Sequence, residues 1–198
     1  AIQKLSTPIF KPFSFSLVKE IIKTSSIEMV IVGPENPLID GVYDFIKADS
    51  EINHVSVIGP SQKGAQLEGS KNFAKDFMSR NKIPTASSKT FTKETFLDAC
   101  DFIKKSSAPY VLKADGPAAG KGVVILESVE DAIAELKSML IDSKFGESSK
   151  KVVIEEFLSG IEMSCFVLFD GKNYLTLPYA KDYKRIGEGD VGLNTGGM

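Results

Sequence analysis

The sequence contains few of the side chains that bind transition metals or form cross-links, with one histidine and two cysteines among 198 residues. Cys100 and Cys165 are far apart and have no histidine near them, so neither a disulfide framework nor a zinc site is predicted. We expect both cysteines to be reduced and buried. The single histidine, His54, is interpreted as a residue at the start of a strand rather than as a catalytic group.

The sequence also lacks a strong net charge and a long apolar segment. Its 24 basic and 26 acidic residues give a net charge of −2, and the two signs are mixed along the chain, which argues against a nucleic-acid or membrane surface as the main partner. No apolar run approaches the ~20 residues of a membrane helix, and residues 1–11 lack the pattern of a signal peptide. We therefore expect a cytoplasmic protein. Its oligomeric state is not predicted.

A glycine-rich segment between two short apolar runs is the most informative part of the chain. Residues 110–112 and Val123–Leu126 have the composition of strands and predict a hairpin with a long tip. The tip consists of small residues with one lysine at its start and one inside it: Lys113, Gly116, Ala118, Ala119, Gly120, Lys121 and Gly122. Sterically open backbone amides and ammonium groups are suited to binding the phosphates of a nucleotide.

The spacing of this segment excludes two common nucleotide motifs. A Walker loop has four residues between its first glycine and the Gly-Lys pair, and a helix follows it. Here three residues separate Gly116 from Gly120, and the next segment is strand-like. The segment does not match a dinucleotide-binding fingerprint either. From the tip alone, a mobile surface hairpin with solvated lysines is an equally good interpretation.

The first third of the chain predicts alternating helices and strands. Helix 16–24 is followed by strand 27–32, a helix that carries Leu38 to Ile46, and strand 54–58, which together make half of a parallel α/β unit. Ligands of such sheets bind beyond the carboxyl ends of the strands, where Glu35 lies. The alternative is an ordinary turn in which proline begins the helix.

Helix boundaries are predicted further along the chain from capping residues. Residues 61–81 have helical periodicity with a break at Gly69, after which Ser70 is positioned to cap a helix over Lys71–Arg80. Lys71 lies in the first turn of that helix, where the helix dipole disfavours a cation. One explanation for a lysine at this position is that it binds a ligand. Residues 93–105 predict another helix, and Ser128 is predicted to cap Val129–Leu140.

Two adjacent acids occur in an otherwise apolar strand predicted over 152–158. Either Glu155 or Glu156 must face the same side as its apolar neighbours, and a carboxylate there requires hydrogen-bond donors or a positive partner. A second hairpin is predicted from residues 163–169 and 174–177.

Six blocks of residues occur in one order along the chain: Gly33-Pro34-Glu35, Gln66 to Lys71, Lys113-Ala114-Asp115-Gly116, Ala119-Gly120-Lys121-Gly122, Glu155-Glu156-Phe157-Leu158, and Asp182 to Arg185 with Asn194 to Gly197. Together they resemble the phosphoribosylamine-glycine ligases of the ATP-grasp family, from about Ile27 onward. The resemblance implies an α/β and α+β protein in which a partial Rossmann-like unit precedes an ATP-grasp fold. The implied division is an N-terminal α/β domain over 1–64, connecting helices over 65–87, a small ATP-grasp subdomain over 88–158 and the start of a second subdomain over 159–198.

The resemblance also implies the chemistry. Members of this family join glycine to phosphoribosylamine through an enzyme-bound glycyl phosphate, and they use ATP and Mg²⁺. Glycine and phosphoribosylamine are then the implied partners, and neither nucleic acid nor a membrane is expected.

Site residues follow from the same resemblance. The implied contacts to the nucleotide phosphates are Lys71, Lys113, Gly120, Lys121 and Gly122. The implied adenine and ribose contacts are Glu155, Glu156, Phe157, Leu158 and Glu162. The implied substrate contacts are Glu35, Asp182, Lys184, Asn194 and Thr195. The implied catalytic residues are Lys113, Lys121 and Arg185.

The chain also departs from the family pattern. The family begins with a strand and a Gly-Gly-Arg-Glu-His type of phosphate loop and ends with acidic and asparagine ligands for magnesium, and this sequence contains neither. We therefore assign no metal ligand and expect these 198 residues alone to be inactive. There are two alternatives. The chain belongs to another ATP-grasp ligase or carboxylase, or it is a nucleotide-binding module without activity of its own.

Overall fold

The computed structural model describes residues 6–118, 120–181, 185–188 and 191–194, with only the backbone described for residues 185–186 and 191–194. The chain forms two compact units that meet in the sequence between Gly69 and Ser70.

The first unit alternates helices and strands, as the sequence predicts. Its elements are α1 (Phe15–Thr24), β1 (Met29–Ile31), α2 (Glu35–Ile39), α3 (Val42–Ala48), β2 (Ser56–Ile58) and α4 (Gln62–Gly69). β1 and β2 are parallel, with Val30 opposite Val57. The helices bury a small apolar core made of Ile22, Leu38, Val42, Ile46, Ile52, Val55 and Ala65.

Three details of this unit differ from the prediction. The single helix expected from Leu38 to Ile46 is two helices, because Gly41 has a φ of 95° and ends the helical path between them. The strands are shorter than expected. His54 is an exposed turn residue that precedes β2, and so it does not begin the strand.

The second unit is built on a four-stranded antiparallel sheet in the order β3-β6-β4-β5. The elements are α5 (Lys71–Arg80), β3 (Ser88–Thr92), α6 (Phe96–Lys105), β4 (Tyr110–Ala114), β5 (Val123–Leu126), α7 (Val129–Leu140) and β6 (Lys151–Glu155). α6 and α7 cover one face of the sheet and bury its core: Phe91, Ala99, Cys100, Ile103, Tyr110, Leu112, Ala132, Leu136, Met139, Leu140, Val152 and Ile154.

Both capping predictions in this unit are confirmed. The Ser70 hydroxyl accepts a hydrogen bond from the backbone amide of Phe73 at the start of α5. The Ser128 hydroxyl likewise accepts from the amide of Asp131 at the start of α7. The predicted hairpin is also confirmed, since β4 and β5 pair with Lys113 opposite Val123.

The strands around β6 correct two predictions. β6 ends at Glu155 rather than at Leu158, since Phe157 and Leu158 leave the sheet and are exposed. The edge strand β3 was not predicted, because its polar residues pair with a strand that is about sixty positions away in the sequence.

The chain after β6 forms small antiparallel pairs. β7 (Met163–Ser164) pairs with β10 (Ala180–Lys181), β8 (Val167–Phe169) pairs with β9 (Tyr174–Thr176), and β11 (Arg185–Gly187) pairs with β12 (Val191–Asn194). The predicted second hairpin is therefore limited to β8 and β9, and residues 163–164 pair elsewhere. All residues of β8 and β9 are exposed.

The two cysteines differ in environment. Cys100 is buried in the core of the second unit, and burial raises the pKa of its thiol. Cys165 is exposed, so the expectation that both cysteines are buried is wrong for this residue. Among the described residues, no helix combines the length and the apolar character needed to cross a bilayer.

Candidate functional site

A lysine and a carboxylate meet on the face of the sheet opposite α6 and α7. Side chains alternate along β4 and β6, so that Leu112 and Ile154 enter the core while Lys113 and Glu155 lie on the opposite face. The Lys113 Nζ lies 2.8 Å from the Glu155 Oε2. The register of the two strands thus brings together two of the residues predicted for the nucleotide site.

Glu155 has a second cationic partner on α5. The Lys75 Nζ lies 3.4 Å from the Glu155 Oε1, and only 6% of the Glu155 side chain is exposed. A carboxylate at this depth is stable in its ionised form only when it is paired, which the two ammonium groups achieve. The prediction that an acid of this strand requires a positive partner is confirmed, and the acid concerned is Glu155.

The start of α5 is attached to the residue that follows β4. The Asp115 carboxylate accepts hydrogen bonds from the Ser70 hydroxyl at 2.9 Å and from the backbone amide of Asn72 at 2.8 Å. The Lys71 Nζ donates to the carbonyl oxygens of Asp115 and Gly116 at 3.4 and 3.3 Å. Lys71, which the sequence singled out, is therefore held at the base of the glycine-rich loop.

Asp115 was not predicted as part of the site. Its place directly before the first loop glycine and two residues after Lys113 was the available signal. Its role as an acceptor for the α5 terminus depends on a partner more than forty residues earlier in the chain.

The glycine-rich loop is shaped by close backbone approaches. The Gly116 amide donates to the Ser148 carbonyl, and a Cβ at Gly116 would lie 2.8–3.0 Å from Ser148 atoms. The Ser148 hydroxyl donates to the Pro117 carbonyl at 2.6 Å. Gly120 has a φ of 76°, in the left-handed region that favours glycine.

The far end of the loop returns to β5. A Cβ at Gly122 would lie 2.7 Å from the Cβ of Ala118, so this position also requires glycine. The Lys121 side chain is exposed on the loop, while its backbone amide donates to the Ala118 carbonyl. Ala119 lies outside the described residues.

The residues predicted to meet adenine follow directly after β6. The Glu156 carboxylate accepts from the Ser87 amide at 2.8 Å, and the Glu156 amide donates to the Ser87 carbonyl. The hydrogen bond from the Ser87 backbone holds the pKa of Glu156 below its usual value. Phe157 and Leu158 are 44% and 64% exposed, so both are accessible to a ligand.

A cleft of about 360 Å³ opens at this end of the sheet. Its lining residues come from the end of β6 and from the connection between α6 and β4: Ser87, Phe102, Ser106, Ser107, Ala108, Pro109, Tyr110, Ile154, Glu155, Glu156 and Phe157. Lys113 is not among them. The cleft adjoins the predicted adenine segment but does not contain the lysine predicted to bind phosphates.

The remaining predicted residues are spread along the chain. Glu35 is the first residue of α2 in the first unit, and Glu162 is exposed before β7. The backbones of Arg185 and Asn194 lie opposite each other in the β11–β12 pair. Asp182, Lys184 and Thr195 lie outside the described residues. Within the described part of the chain, no three Asp, Glu, His or Cys side chains lie close enough together to hold a metal ion.

The antiparallel sheet with its glycine-rich hairpin lies in the part of the chain for which an ATP-grasp fold is predicted. Residues 69–198 match the family described as phosphoribosylglycinamide synthetase, ATP-grasp (A) domain. This match confirms the predicted ATP-grasp fold.

The N-terminal unit identifies the family more closely. Residues 2–68 match the N domain of the same synthetase, and the two matches together cover nearly the whole chain. The chain belongs to the phosphoribosylglycinamide synthetase family. The predicted resemblance to the phosphoribosylamine-glycine ligases is thereby confirmed.

Individual relatives agree with this assignment. The chain is 45% identical to a phosphoribosylamine-glycine ligase of Leptospira interrogans over 189 residues, which are 96% of this chain and 43% of that enzyme. It is 46% identical to a bifunctional purine biosynthetic protein of Dictyostelium discoideum, covering 91% of this chain and 22% of that protein. The crystal structure of a phosphoribosylamine-glycine ligase from Thermotoga maritima superimposes with a TM-score of 0.73 at 36% identity, covering 95% of this chain and 44% of that one. The chain thus spans less than half the length of these relatives.

Proposed function

We propose that this chain supplies the ATP-binding part of an enzyme that ligates glycine to 5-phosphoribosylamine, giving glycinamide ribonucleotide, ADP and phosphate. The observation that carries the proposal is the pairing of Lys113 with Glu155 on the face of the sheet opposite α6 and α7, in a chain whose residues 69–198 match the synthetase's ATP-grasp domain. The reaction belongs to purine biosynthesis, which the name of the Dictyostelium relative supports. We also propose that the small ATP-grasp subdomain ends near residue 158 and that a second subdomain begins there.

The nucleotide phosphates are assigned to the lysines and the glycine-rich loop. Lys113 and Lys71 supply positive charge on either side of Asp115, and the loop that carries Gly120, Lys121 and Gly122 supplies backbone amides and a further cation. Phosphoryl transfer requires a protein mainly to position the reactants and to offset negative charge, and these groups have that capacity. The loop would also exclude water from a labile acyl phosphate.

The adenosine part of ATP is assigned to the segment after β6. Glu155 to Leu158 would read the edge of the base through their backbone groups, while Phe157 or Leu158 packs near the ring. Glu162 would accept hydrogen bonds from the ribose hydroxyls. The exposure of Phe157 and Leu158 beyond the end of β6 supports this assignment.

Glycine and phosphoribosylamine are assigned to groups outside the sheet. Glu35 is proposed to meet phosphoribosylamine, and the other substrate contacts and one catalytic cation are assigned to a later segment: Asp182, Lys184, Arg185, Asn194 and Thr195. Magnesium is proposed as a cofactor of the whole enzyme. Among the described residues, no three acidic side chains lie close enough together to hold it.

The proposal is tested on the complete gene product by measuring phosphate release with ATP, magnesium, glycine and phosphoribosylamine. Release that requires both glycine and phosphoribosylamine, with glycinamide ribonucleotide as the product, is the expected result. D-alanine or bicarbonate in place of glycine serve as controls for other ATP-grasp reactions. Activity with one of these and none with glycine would overturn the proposal, and so would the absence of any ATP-dependent product.

A further inference from the structure

Lys75 is a highly constrained lysine near the candidate site, although it was not among the predicted site residues. Its Nζ lies 2.8 Å from the Thr85 hydroxyl oxygen, 2.9 Å from the Ala86 carbonyl oxygen and 3.4 Å from the Glu155 Oε1. Only 12% of the side chain is exposed. An ammonium group has three hydrogens, and the three acceptors around Lys75 account for all of them.

Lys113 is held much less firmly. Its Nζ pairs with the Glu155 Oε2, and 27% of its side chain is exposed. The two lysines therefore bind different oxygens of one carboxylate, and Lys113 is the more exposed of the two. Lys113 can turn away without disturbing the contact between Lys75 and Oε1.

We propose that Lys75 is a positioning residue, which keeps the buried Glu155 carboxylate paired when Lys113 leaves it to bind a phosphate. The inference rests on the proposed function, because it requires a phosphate ligand for Lys113. The Glu155 carboxylate therefore has one ammonium group at each of its two oxygens. Without Lys75, the departure of Lys113 would leave a buried carboxylate with no cationic partner, which is strongly unfavourable.

Without Lys75, the Glu155 carboxylate and the nucleotide phosphate would compete for Lys113. In a Lys75→Met variant, Glu155 depends on Lys113 alone, and a nucleotide phosphate must break that pair before Lys113 can bind it. ATP affinity is expected to fall about 10-fold, the usual size of a coupling between two sites. The affinity for adenosine, which has no phosphate, is expected to change less than about two-fold.

The test uses the full 198-residue chain and isothermal titration calorimetry with ATP and with adenosine. Lys75→Met is compared with the wild type and with Lys75→Met combined with Glu155→Gln. Glu155→Gln removes the carboxylate charge and releases Lys113. The double variant is therefore expected to bind ATP relative to adenosine almost as strongly as the wild type does. A lysine needed only for packing would not be rescued in this way.

A second variant guards against a folding defect. Lys75→Gln removes the charge but keeps an amide that can donate to the Thr85 hydroxyl or the Ala86 carbonyl, and it is expected to show the same loss of the ATP to adenosine ratio. An unchanged ratio in both Lys75 variants, or an absence of rescue by Glu155→Gln, would overturn the inference and leave the proposed function intact. A wild-type chain that binds ATP no better than adenosine would overturn the phosphate assignment itself, and the inference with it.

Discussion

Gly116 allows the chain to leave β4 and enter the glycine-rich loop. Its amide donates to the Ser148 carbonyl, and a Cβ would come within 2.8–3.0 Å of three Ser148 atoms, one of them the backbone Cα. A contact with backbone cannot be relieved by rotating a side chain. The loop and the segment that carries Ser148 must therefore separate if any side chain is added at this position.

We expect Gly116→Ala to lower the free energy of unfolding by about 1–3 kcal/mol, the usual cost of overpacking. Urea unfolding monitored by circular dichroism measures the change. Gly33→Ala is the control, because a Cβ at Gly33 would meet no atom within 4 Å. Equal effects of the two substitutions would contradict the steric explanation.

The amino terminus of α5 joins two parts of the candidate site. The Ser70 hydroxyl both accepts from the Phe73 amide and donates to the Asp115 carboxylate, so one side chain caps the helix and connects it to the end of β4. Lys71 and Lys75 both depend on this helix for their positions.

Loss of this cap is expected to be measurable. Ser70→Ala should lower the free energy of unfolding by about 1–2 kcal/mol, since the cap and the bond to Asp115 are lost together. Ser79→Ala, an exposed position near the other end of the same helix, should have little effect because alanine favours helix. A similar loss in both variants, measured by urea unfolding, would show that Ser70 does not act as the cap.

Elements defined by local signals were predicted well, and those defined by distant partners were not. Ser70 and Ser128 cap helices that begin at the next residue, so the signal and its effect are adjacent in the sequence. β3 is a strand because it pairs with β6, and its Ser- and Thr-rich sequence indicates no such partner by itself. The same reason explains why Glu155 was predicted to need a cation, whereas Lys75 was not identified as one that supplies it.

The first unit contains a network of charges at its surface. The Lys19 ammonium lies 2.5 Å from Asp49 Oδ2 and 2.6 Å from Glu51 Oε2. Hydrogen bonds from Lys19 lower the pKa of Asp49 and of Glu51 from their ordinary values of 3.8 and 4.5. The same two hydrogen bonds raise the pKa of Lys19 above 10.5. The two acids thus bind protons less readily in the folded unit than in the unfolded chain.

This network predicts a loss of stability in acid. Because the folded pKa values of Asp49 and Glu51 are the lower ones, their contribution is complete above the ordinary values and disappears as the pH falls through the folded values. Lys19 itself stays protonated over this range, and its raised pKa affects stability only as the pH rises above 10.5. Urea midpoints should therefore fall between about pH 5 and pH 3, and less steeply in Lys19→Met. Lys63→Met, at an exposed position of the same unit, should keep the wild-type slope, and equal slopes in all three proteins would contradict the assignment.

In the proposed site, Lys113 exchanges the Glu155 carboxylate for a nucleotide phosphate. Calorimetric titration of the Lys113→Met chain with ATP and with adenosine tests this exchange most directly. Loss of one charge-assisted contact should weaken ATP binding by about 1–3 kcal/mol and leave adenosine binding nearly unchanged. Lys137→Met, an exposed position on α7, should bind both ligands as the wild type does. An equal loss for ATP and adenosine in Lys113→Met, or no loss for either, would contradict the account.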